Sequence, residues 1–168
     1  MPQDQHDTVV VIDFGGQYSH LIARRIRECE VYSELLPWNT GIEEIKARRP
    51  KAIVLSGGPA SVNDNTSPRC DRALLDLGVP VLGICYGLQL IVDVLGGKVD
   101  RPPAQEYGRT AIHFDDRGDL FKALGEESIC WMSHADSAVE LPDGFSGIAH
   151  SKHTKYAAIR DSDRVIFG

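Results

Sequence analysis

The sequence predicts an α/β protein in which helices cover both faces of a doubly wound, mostly parallel sheet. Three observations favour this fold class. Through Gly97 the chain alternates four short apolar runs with helix-like segments. The first, third and fourth runs are predominantly apolar, as strands buried on both faces are, and glycine or proline closes most segments. Four strand–helix units in succession imply right-handed crossovers and three layers.

The first two units have the clearest patterns. Thr8–Phe14 is an unbroken apolar run, which predicts a buried strand, and Ser19–Cys29 places apolar residues on one side of an amphipathic helix. Val31–Leu36 reads as the second strand. Thr40 and Glu43 are spaced as a capping box, which predicts a short helix that continues to about Arg49.

The third and fourth units follow the same plan. Lys51–Ser56 is an apolar strand that ends in glycines, and Ser67-Pro68 predicts the N-cap and first position of the next helix. Val79–Ile84 is the fourth buried strand. It leads directly into a helical segment, Tyr86–Leu95, that stops at two glycines.

The carboxyl-terminal half changes character. It contains one possible helical turn, Asp119–Leu124, among short runs that predict further, partly antiparallel strands: Arg109–Phe114, Ile129–His134, Phe145–Ser151, Tyr156–Arg160 and Arg164–Phe167. No repeat, low-complexity tract or linker interrupts the chain. We therefore expect a single domain over residues 8–168 after a polar tail over residues 1–7.

Composition narrows the possible functions. The 168 residues are 42% hydrophobic and carry a net charge of −6, with no Lys/Arg run longer than two, which disfavours a nucleic acid partner. No apolar run is long enough for a membrane span, so we expect no membrane partner and a cytoplasmic location. The four cysteines form no Cys-x-x-Cys pair, which indicates reduced thiols and no metal site.

The strongest chemical signal is the segment Gly83-Ile84-Cys85-Tyr86-Gly87, at the predicted junction of the fourth strand and its helix. A nucleophile at such a turn needs small residues two before and two after it, and both are glycine. The helix N-terminus is expected to favour the Cys85 thiolate, and the Tyr86 amide to face a developing oxyanion. The alternative is a buried cysteine between two helix-flanking glycines.

A second glycine-rich loop, Ser56-Gly57-Gly58-Pro59, follows the third strand. Ligands in open α/β sheets bind beyond the carboxyl ends of the strands. If the third and fourth strands are neighbours, as in the flavodoxin-like order, Gly57 or Gly58 can supply a second oxyanion donor. A plain turn and a phosphate-binding loop are the alternatives, and the second lacks the expected Gly-Lys-Ser/Thr.

Nearly the whole chain from Val9 onward resembles the class I glutamine amidotransferase domains of GMP synthetases. The resemblance rests on four segments: Asp13-Phe14-Gly15-Gly16-Gln17-Tyr18, Ser56-Gly57-Gly58-Pro59, Gly83-Ile84-Cys85-Tyr86-Gly87-Leu88-Gln89 and Trp131-Met132-Ser133-His134. It implies hydrolysis of the glutamine side-chain amide, with ammonia passed to a synthetase domain that aminates XMP. It implies no cofactor in this domain, and ATP and Mg in the synthetase partner.

The same resemblance implies roles for individual residues. Cys85 matches the nucleophile that forms a glutamyl thioester, and the amides of Gly58 and Tyr86 match the oxyanion hole. The substrate-binding positions match Gln89, Ser133, His134 and Asp136. Glu106 and Gly108 match a segment near the site, although a loop carboxylate is usually solvated.

Three positions depart from the family pattern. Gly16 stands where the family usually has Ser, and Ala135 where it usually has Gly. The general base and its partner belong to a His-Pro-Glu motif that does not occur in these 168 residues. We therefore expect the domain to lack its carboxyl-terminal end and this chain alone to be inactive. The five histidines other than His134 are expected to be surface or core residues rather than the base.

Three functions remain open from the sequence. The first is the glutaminase domain of GMP synthetase, with glutamine and the synthetase domain as partners. The second is a non-catalytic binding module on the same fold. The third is another thiol hydrolase acting on γ-glutamyl substrates.

Overall fold

A computed structural model describes residues 6–102, 106–161 and 163–168 of the chain. Within these ranges the elements, in chain order, are β1 (Thr8–Asp13), α1 (Ser19–Glu28), β2 (Tyr32–Pro37), α2 (Ile42–Ala47), β3 (Ala52–Leu55), β4 (Val81–Gly83), α3 (Tyr86–Val94), β5 (Lys98–Asp100), β6 (Glu106–Phe114), β7 (Glu127–His134), β8 (Ser137–Glu140), β9 (Phe145–His150), β10 (Ala158–Asp161) and β11 (Ile166–Phe167). Two 3-10 helices, Arg72–Asp76 and Asp119–Phe121, lie between them.

The main sheet has the order β2-β1-β3-β4-β11-β10-β9-β6-β7. Its first five strands are parallel and the others are joined by antiparallel pairs. The predicted doubly wound α/β fold with antiparallel strands in the second half is confirmed. The third and fourth strands are neighbours, with Leu55 opposite Gly83 in the register, so the loops that follow them lie side by side.

The parallel part of the sheet is buried on both faces. In β1, Val10 and Ile12 pack into one cluster with residues of α2 and α3, whereas Val11 packs on the opposite face against Ala23 of α1. Helices therefore cover both faces and three layers result. A smaller cluster around Ile112 and Ile148 joins the antiparallel strands. None of the described helices has the length and apolar character needed to cross a membrane.

Two predicted helix starts are wrong. The N-cap of α2 is Gly41, and the Thr40 hydroxyl turns back to donate to the Pro37 carbonyl at 2.7 Å, so no capping box forms. After β3, no helix begins at Pro68. The crossover contains the 3-10 helix Arg72–Asp76, whose N-cap Asp71 accepts a hydrogen bond from the Ala73 amide at 2.9 Å. The hydroxyls of Thr40 and Ser67 donate to the nearby carbonyls of Pro37 and Ser61 instead of capping a helix.

Two short strands were not predicted. β5 and β8 pair with each other in a separate two-stranded antiparallel sheet. Both strands are short and both contact α3. Local patterns in the sequence do not predict such a contact between distant segments. Of the predicted tail over residues 1–7, positions 1–5 lie outside the described residues.

The backbone of helix α3 packs directly against the backbone of the sheet. A Cβ built on Gly87 would lie 2.3 Å from the carbonyl oxygen of Leu55, and one built on Gly83 would lie 2.6 Å from the carbonyl carbon of Gly87. Both distances are shorter than real Cβ contacts, so only glycine fits at either position without moving backbone. The two glycines of the predicted elbow are therefore requirements of helix–sheet packing.

We expect Gly87→Ala to destabilise the protein because the added methyl group must push α3 away from β3. Overpacking of this kind costs about 1–3 kcal/mol. The control is Gly41→Ala, since Gly41 has φ −63° and open space around its Cβ position. Urea unfolding followed by circular dichroism measures both. Equal stability of the two variants would contradict the close packing.

Candidate active site

Cys85 occupies the turn between β4 and α3 in a strained conformation. Its backbone has φ 55° and ψ −106°, and it is the N-cap of α3. Non-glycine residues rarely adopt positive φ, and they do so where the surrounding packing imposes it. Here the approach of α3 to the sheet imposes it, and the turn holds an exposed cysteine at the carboxyl edge of the sheet.

Two opposing effects act on the Cys85 thiol. The Tyr86 amide hydrogen-bonds to the sulfur and lowers its pKa, as expected for a cysteine at a helix N-terminus. Although Cys85 keeps an exposed surface, desolvation by the surrounding residues is the larger effect and raises the pKa of the thiol above its ordinary value. The amide and the desolvation therefore act in opposite directions on the thiolate.

The glycine loop after β3 lies against this cysteine. A Cβ built on Gly57 would lie 3.5 Å from the Cys85 Cβ atom, so the two turns are in contact. Tyr86 takes part through its backbone only, since its ring is buried against Phe14 and its hydroxyl donates to the Pro68 carbonyl at 2.6 Å. Gly58 also packs against Phe14, since a Cβ built on Gly58 would lie 2.6 Å from the backbone carbonyl oxygen of Phe14.

The departure at Gly16 has a structural counterpart. A Cβ at this position would lie 2.4 Å from the Gly57 carbonyl oxygen. The Gly57 carbonyl thus fills the space that the side chain of the family's usual serine would need. The glycine loop packs directly on the turn that follows β1.

A cavity of about 220 Å³ opens beside Cys85. Its lining includes Cys85 and the four residues to which the resemblance assigned substrate binding, Gln89, Ser133, His134 and Asp136. The other lining residues are Ile84, Leu88, Trp131, Met132, Ser137, Ala138, Thr154, Tyr156 and Ala157. Gly58 and Tyr86 are not among these lining residues. The nucleophile and the predicted binding residues therefore share one cavity, although they lie up to about fifty positions apart in sequence.

Gln89 and Asp136 are bonded to each other across the cavity wall. The Gln89 side-chain amide donates to the Asp136 carbonyl at 2.9 Å, and the Asp136 carboxylate pairs with Arg101, with 3.0 Å between Oδ1 and Nε. Both residues are buried. The carboxylate raises the pKa of the Arg101 guanidinium. The Asp136 side chain is thus turned towards Arg101, and its backbone faces Gln89.

His134 lies in the cavity wall between two neighbours. Its Nδ1 lies 3.1 Å from the Asp136 carbonyl oxygen, within hydrogen-bond distance, and its Nε2 lies 3.7 Å from a carboxylate oxygen of Glu106. These two contacts orient the ring beside the cavity, where the resemblance places a substrate-binding residue.

Glu106 is buried, whereas the sequence pattern suggested a solvated loop carboxylate. Its two oxygens accept hydrogen bonds from the hydroxyls of Ser151 at 2.5 Å and Thr154 at 2.6 Å. Burial opposes ionisation, but these hydrogen bonds and His134 together hold the pKa of Glu106 below its ordinary value. Glu106 thereby fastens the 151–154 loop to the strand pair that carries His134. Its pairing opposite His134 in the β6–β7 register could not be read from sequence.

The remaining histidines and cysteines lie away from this cavity. His113 and His150 stack with 5.4 Å between ring centroids, and each contacts its own carboxylate, Glu127 and Asp115 respectively. Among the residues that the structure describes, no group of three or more His, Cys, Asp or Glu side chains is arranged to hold a metal ion.

Comparison with known proteins identifies the family. The model of the family "Glutamine amidotransferase class-I" matches residues 10–168. The chain belongs to the class I glutamine amidotransferase family. Among curated relatives of this amidotransferase, "GMP synthase [glutamine-hydrolyzing]" of Gloeothece citriformis is 52% identical over 160 residues, which cover 95% of this chain and 30% of that protein. The protein of the same name in Clostridium perfringens is 48% identical over 162 residues, which cover 96% of this chain and 32% of that protein.

These relatives are longer than the amidotransferase chain, which spans about a third of their length.

Solved structures of other proteins have the same fold as this chain. A candidate GMP synthase component of Thermoplasma acidophilum superposes with a TM-score of 0.85 at 27% identity, covering 96% of this chain and 81% of the other. A glutamine amidotransferase of Thermotoga maritima, at 19% identity and a TM-score of 0.74, shows the same fold over 97% of this chain and 74% of its own.

Saturating glutamine is expected to protect Cys85 from iodoacetamide, because the side chain lines the cavity that glutamine would fill. Exposed Cys29 provides the internal control and should label at the same rate with and without glutamine. Cys70, whose pKa is raised to about 11 by burial, should label slowest. Peptide mass spectrometry measures all three rates. Labelling of Cys85 that glutamine leaves unchanged would show that this cavity does not bind it.

We expect Glu106→Gln to destabilise the protein near neutral pH by about 1–3 kcal/mol, the usual loss for hydrogen bonds to a charged group. Because the folded pKa of Glu106 is depressed, its stabilisation is present above the unfolded glutamate pKa of about 4.3 and is lost as pH falls through the folded value. The gap between wild type and Glu106→Gln should therefore close in acid. The exposed carboxylate variant Glu127→Gln is the control and should show little change. A difference in stability between wild type and Glu106→Gln that persists at the lowest pH would mean that the charge of Glu106 does not stabilise the fold.

Proposed function

We propose that the chain is a glutaminase domain, which hydrolyses the side-chain amide of glutamine through a thioester on Cys85. One observation carries this proposal. A cysteine strained at a strand-to-helix turn opens into the same cavity as the residues to which the family assigns glutamine binding. The arrangement has the parts needed for acyl transfer: a nucleophile, amides beside it and a cavity for the acyl group.

The first chemical step is attack of the Cys85 sulfur on the amide carbon of glutamine. The carbonyl oxygen becomes negatively charged as the carbon turns tetrahedral, and the amides of Tyr86 and Gly58 are the proposed donors to it. The position of Tyr86 at the first turn of α3 supports its role, since amides there have no partner within the helix. For Gly58, support comes from the contact between its loop and Cys85.

The substrate is proposed to lie along the cavity with its amino acid end towards β7. Gln89, Ser133, His134 and Asp136 all line this space, and the hydrogen bonds of Gln89 and His134 to the Asp136 carbonyl fix the wall in one arrangement. Ammonia leaves when the amide nitrogen receives a proton. In the family this proton transfer belongs to the histidine of a His-Pro-Glu motif, which does not occur in these 168 residues.

We further propose that the ammonia serves the amination of XMP to GMP by an ATP-dependent synthetase domain. Similarity to GMP synthases across 95% of this chain supports this, as does the small share of those proteins that the chain spans. Residues 8–168 form one domain in this proposal, and the enzyme works in the cytoplasm with glutamine and the synthetase domain as partners.

The test uses the full-length protein that carries this chain, assayed together with its synthetase domain, whether that domain is fused or a separate subunit. Cys85→Ala is expected to abolish GMP formation from glutamine, because the covalent route is lost, and to leave GMP formation from added ammonium salt unchanged. Cys130→Ala, an exposed cysteine on β7, is the matched control and should retain both activities. Chromatographic measurement of GMP with each nitrogen source decides the matter.

The outcomes separate the candidate functions. Unchanged glutamine-dependent synthesis in Cys85→Ala would overturn the role of Cys85. Loss of both activities in a folded Cys85→Ala protein would contradict a dedicated ammonia-supplying role. Ammonia release in the wild type without any GMP formation would point to a different γ-glutamyl hydrolase, and glutamine binding with no ammonia release to a binding module.

A further inference from the structure

Three polar side chains, two of them buried, form a network behind the glycine loop. The Ser19 hydroxyl at the start of α1 lies 2.6 Å from Oδ1 of Asp13 and 3.1 Å from Oγ of Ser56. Ser19 and Ser56 are buried, with 1% and 0% of their surface exposed. Asp13 also accepts a hydrogen bond from the Gly15 amide at 2.8 Å. The network thus connects the end of β1, the start of α1 and the end of β3.

The network ends on the glycine loop itself. Ser56 Oγ accepts from the Phe14 amide at 3.1 Å and donates to the Gly57 carbonyl oxygen at 2.9 Å. That same oxygen occupies the space above Gly16. The Gly57 carbonyl is therefore held on the side of the loop that faces α1, by one hydrogen bond and by close packing.

The direction of this carbonyl determines the direction of the next amide. In a trans peptide the C=O and the following N–H point in opposite directions, so a Gly57 carbonyl turned towards Ser56 leaves the Gly58 N–H on the other side of the peptide. Within the described part of the chain, the Gly58 amide donates no hydrogen bond. An unpaired donor beside a nucleophile is what an oxyanion hole requires.

We propose that Asp13, Ser19 and Ser56 are positioning residues that hold the Gly57–Gly58 peptide so that its N–H serves the oxyanion of the Cys85 reaction. This inference rests on the proposed function, since it assigns a purpose to the Gly58 amide within that reaction. None of the three side chains lines the cavity. They act through the peptide, and their effect belongs to the tetrahedral species rather than to the binding of glutamine.

The probe is the nitrile analogue of glutamine, in which C≡N replaces the side-chain amide. The Cys85 thiol adds across the triple bond: a sulfur–carbon bond forms, one carbon–nitrogen π bond breaks and the thiol proton ends on nitrogen. The thioimidate nitrogen then occupies the oxyanion position. No leaving group departs, so the 168-residue chain can be tested directly. Titration with detection by intact-protein mass spectrometry gives the affinity of the adduct.

Ser56→Ala is expected to weaken the nitrile adduct roughly tenfold or more, since removal of an oxyanion donor costs about 10²–10³ and a misdirected one costs part of this. Glutamine affinity and the rate of Cys85 alkylation by iodoacetamide should stay unchanged. The matched control is Ser33→Ala, which removes another buried hydroxyl, one that donates to the Ala23 carbonyl at 2.9 Å. It should leave the adduct affinity unchanged.

Ser19→Ala provides a second variant should Ser56→Ala fail to fold. It removes the hydroxyl behind Ser56 and should weaken the adduct severalfold. Wild-type adduct affinity in a folded Ser56→Ala protein, or in Ser19→Ala where only that variant folds, overturns the inference and leaves the proposed function standing. Absence of any adduct on Cys85 in the wild type overturns both. Equal weakening in Ser33→Ala would show that general destabilisation, rather than peptide orientation, is responsible.

Discussion

The close approach of α3 to the parallel sheet is the constraint on which the candidate site depends. Gly83 and Gly87 allow the helix backbone to lie against Leu55, and the chain between them has to turn within three residues. Cys85, at the middle of this turn, is left with positive φ and an exposed position. Packing of the helix thus determines where the nucleophile stands. A bulkier residue at either glycine would move the helix and the nucleophile together.

The same edge of the sheet gathers the other parts of the site. Parallel pairing of β3 and β4 places the glycine loop next to the turn, and the buried hydroxyl network behind that loop fixes its carbonyl. The antiparallel strands contribute the opposite wall, where Glu106 joins the 151–154 loop to His134. Buried polar groups that are fully hydrogen-bonded make a wall rigid. The cavity is therefore bounded by a backbone turn on one side and by a polar network on the other.

Local patterns in the sequence were sufficient for the parallel half of the fold. Apolar runs predicted β1, β3 and β4, and the two glycines around Cys85 predicted the turn, because these features depend on neighbouring residues. The capping box at Thr40 and the helix start at Ser67 were wrong, since those hydroxyls bond to nearby carbonyls instead. The burial of Glu106 and the pairing of β5 with β8 depend on contacts distant in sequence, which local patterns do not contain.

The electrostatic balance at Cys85 also needed the structure. The sequence indicated a helix N-terminus, whose amide lowers the pKa of the thiol, but not the desolvation by residues distant in sequence, which raises it. The central claim, that this turn and cavity receive the side-chain amide of glutamine, is tested most directly by a crystal structure of Cys85→Ala soaked with glutamine. We expect the amide carbonyl oxygen within about 3 Å of the Gly58 and Tyr86 nitrogens. Glutamine bound in the cavity with its amide turned away from both nitrogens would contradict it.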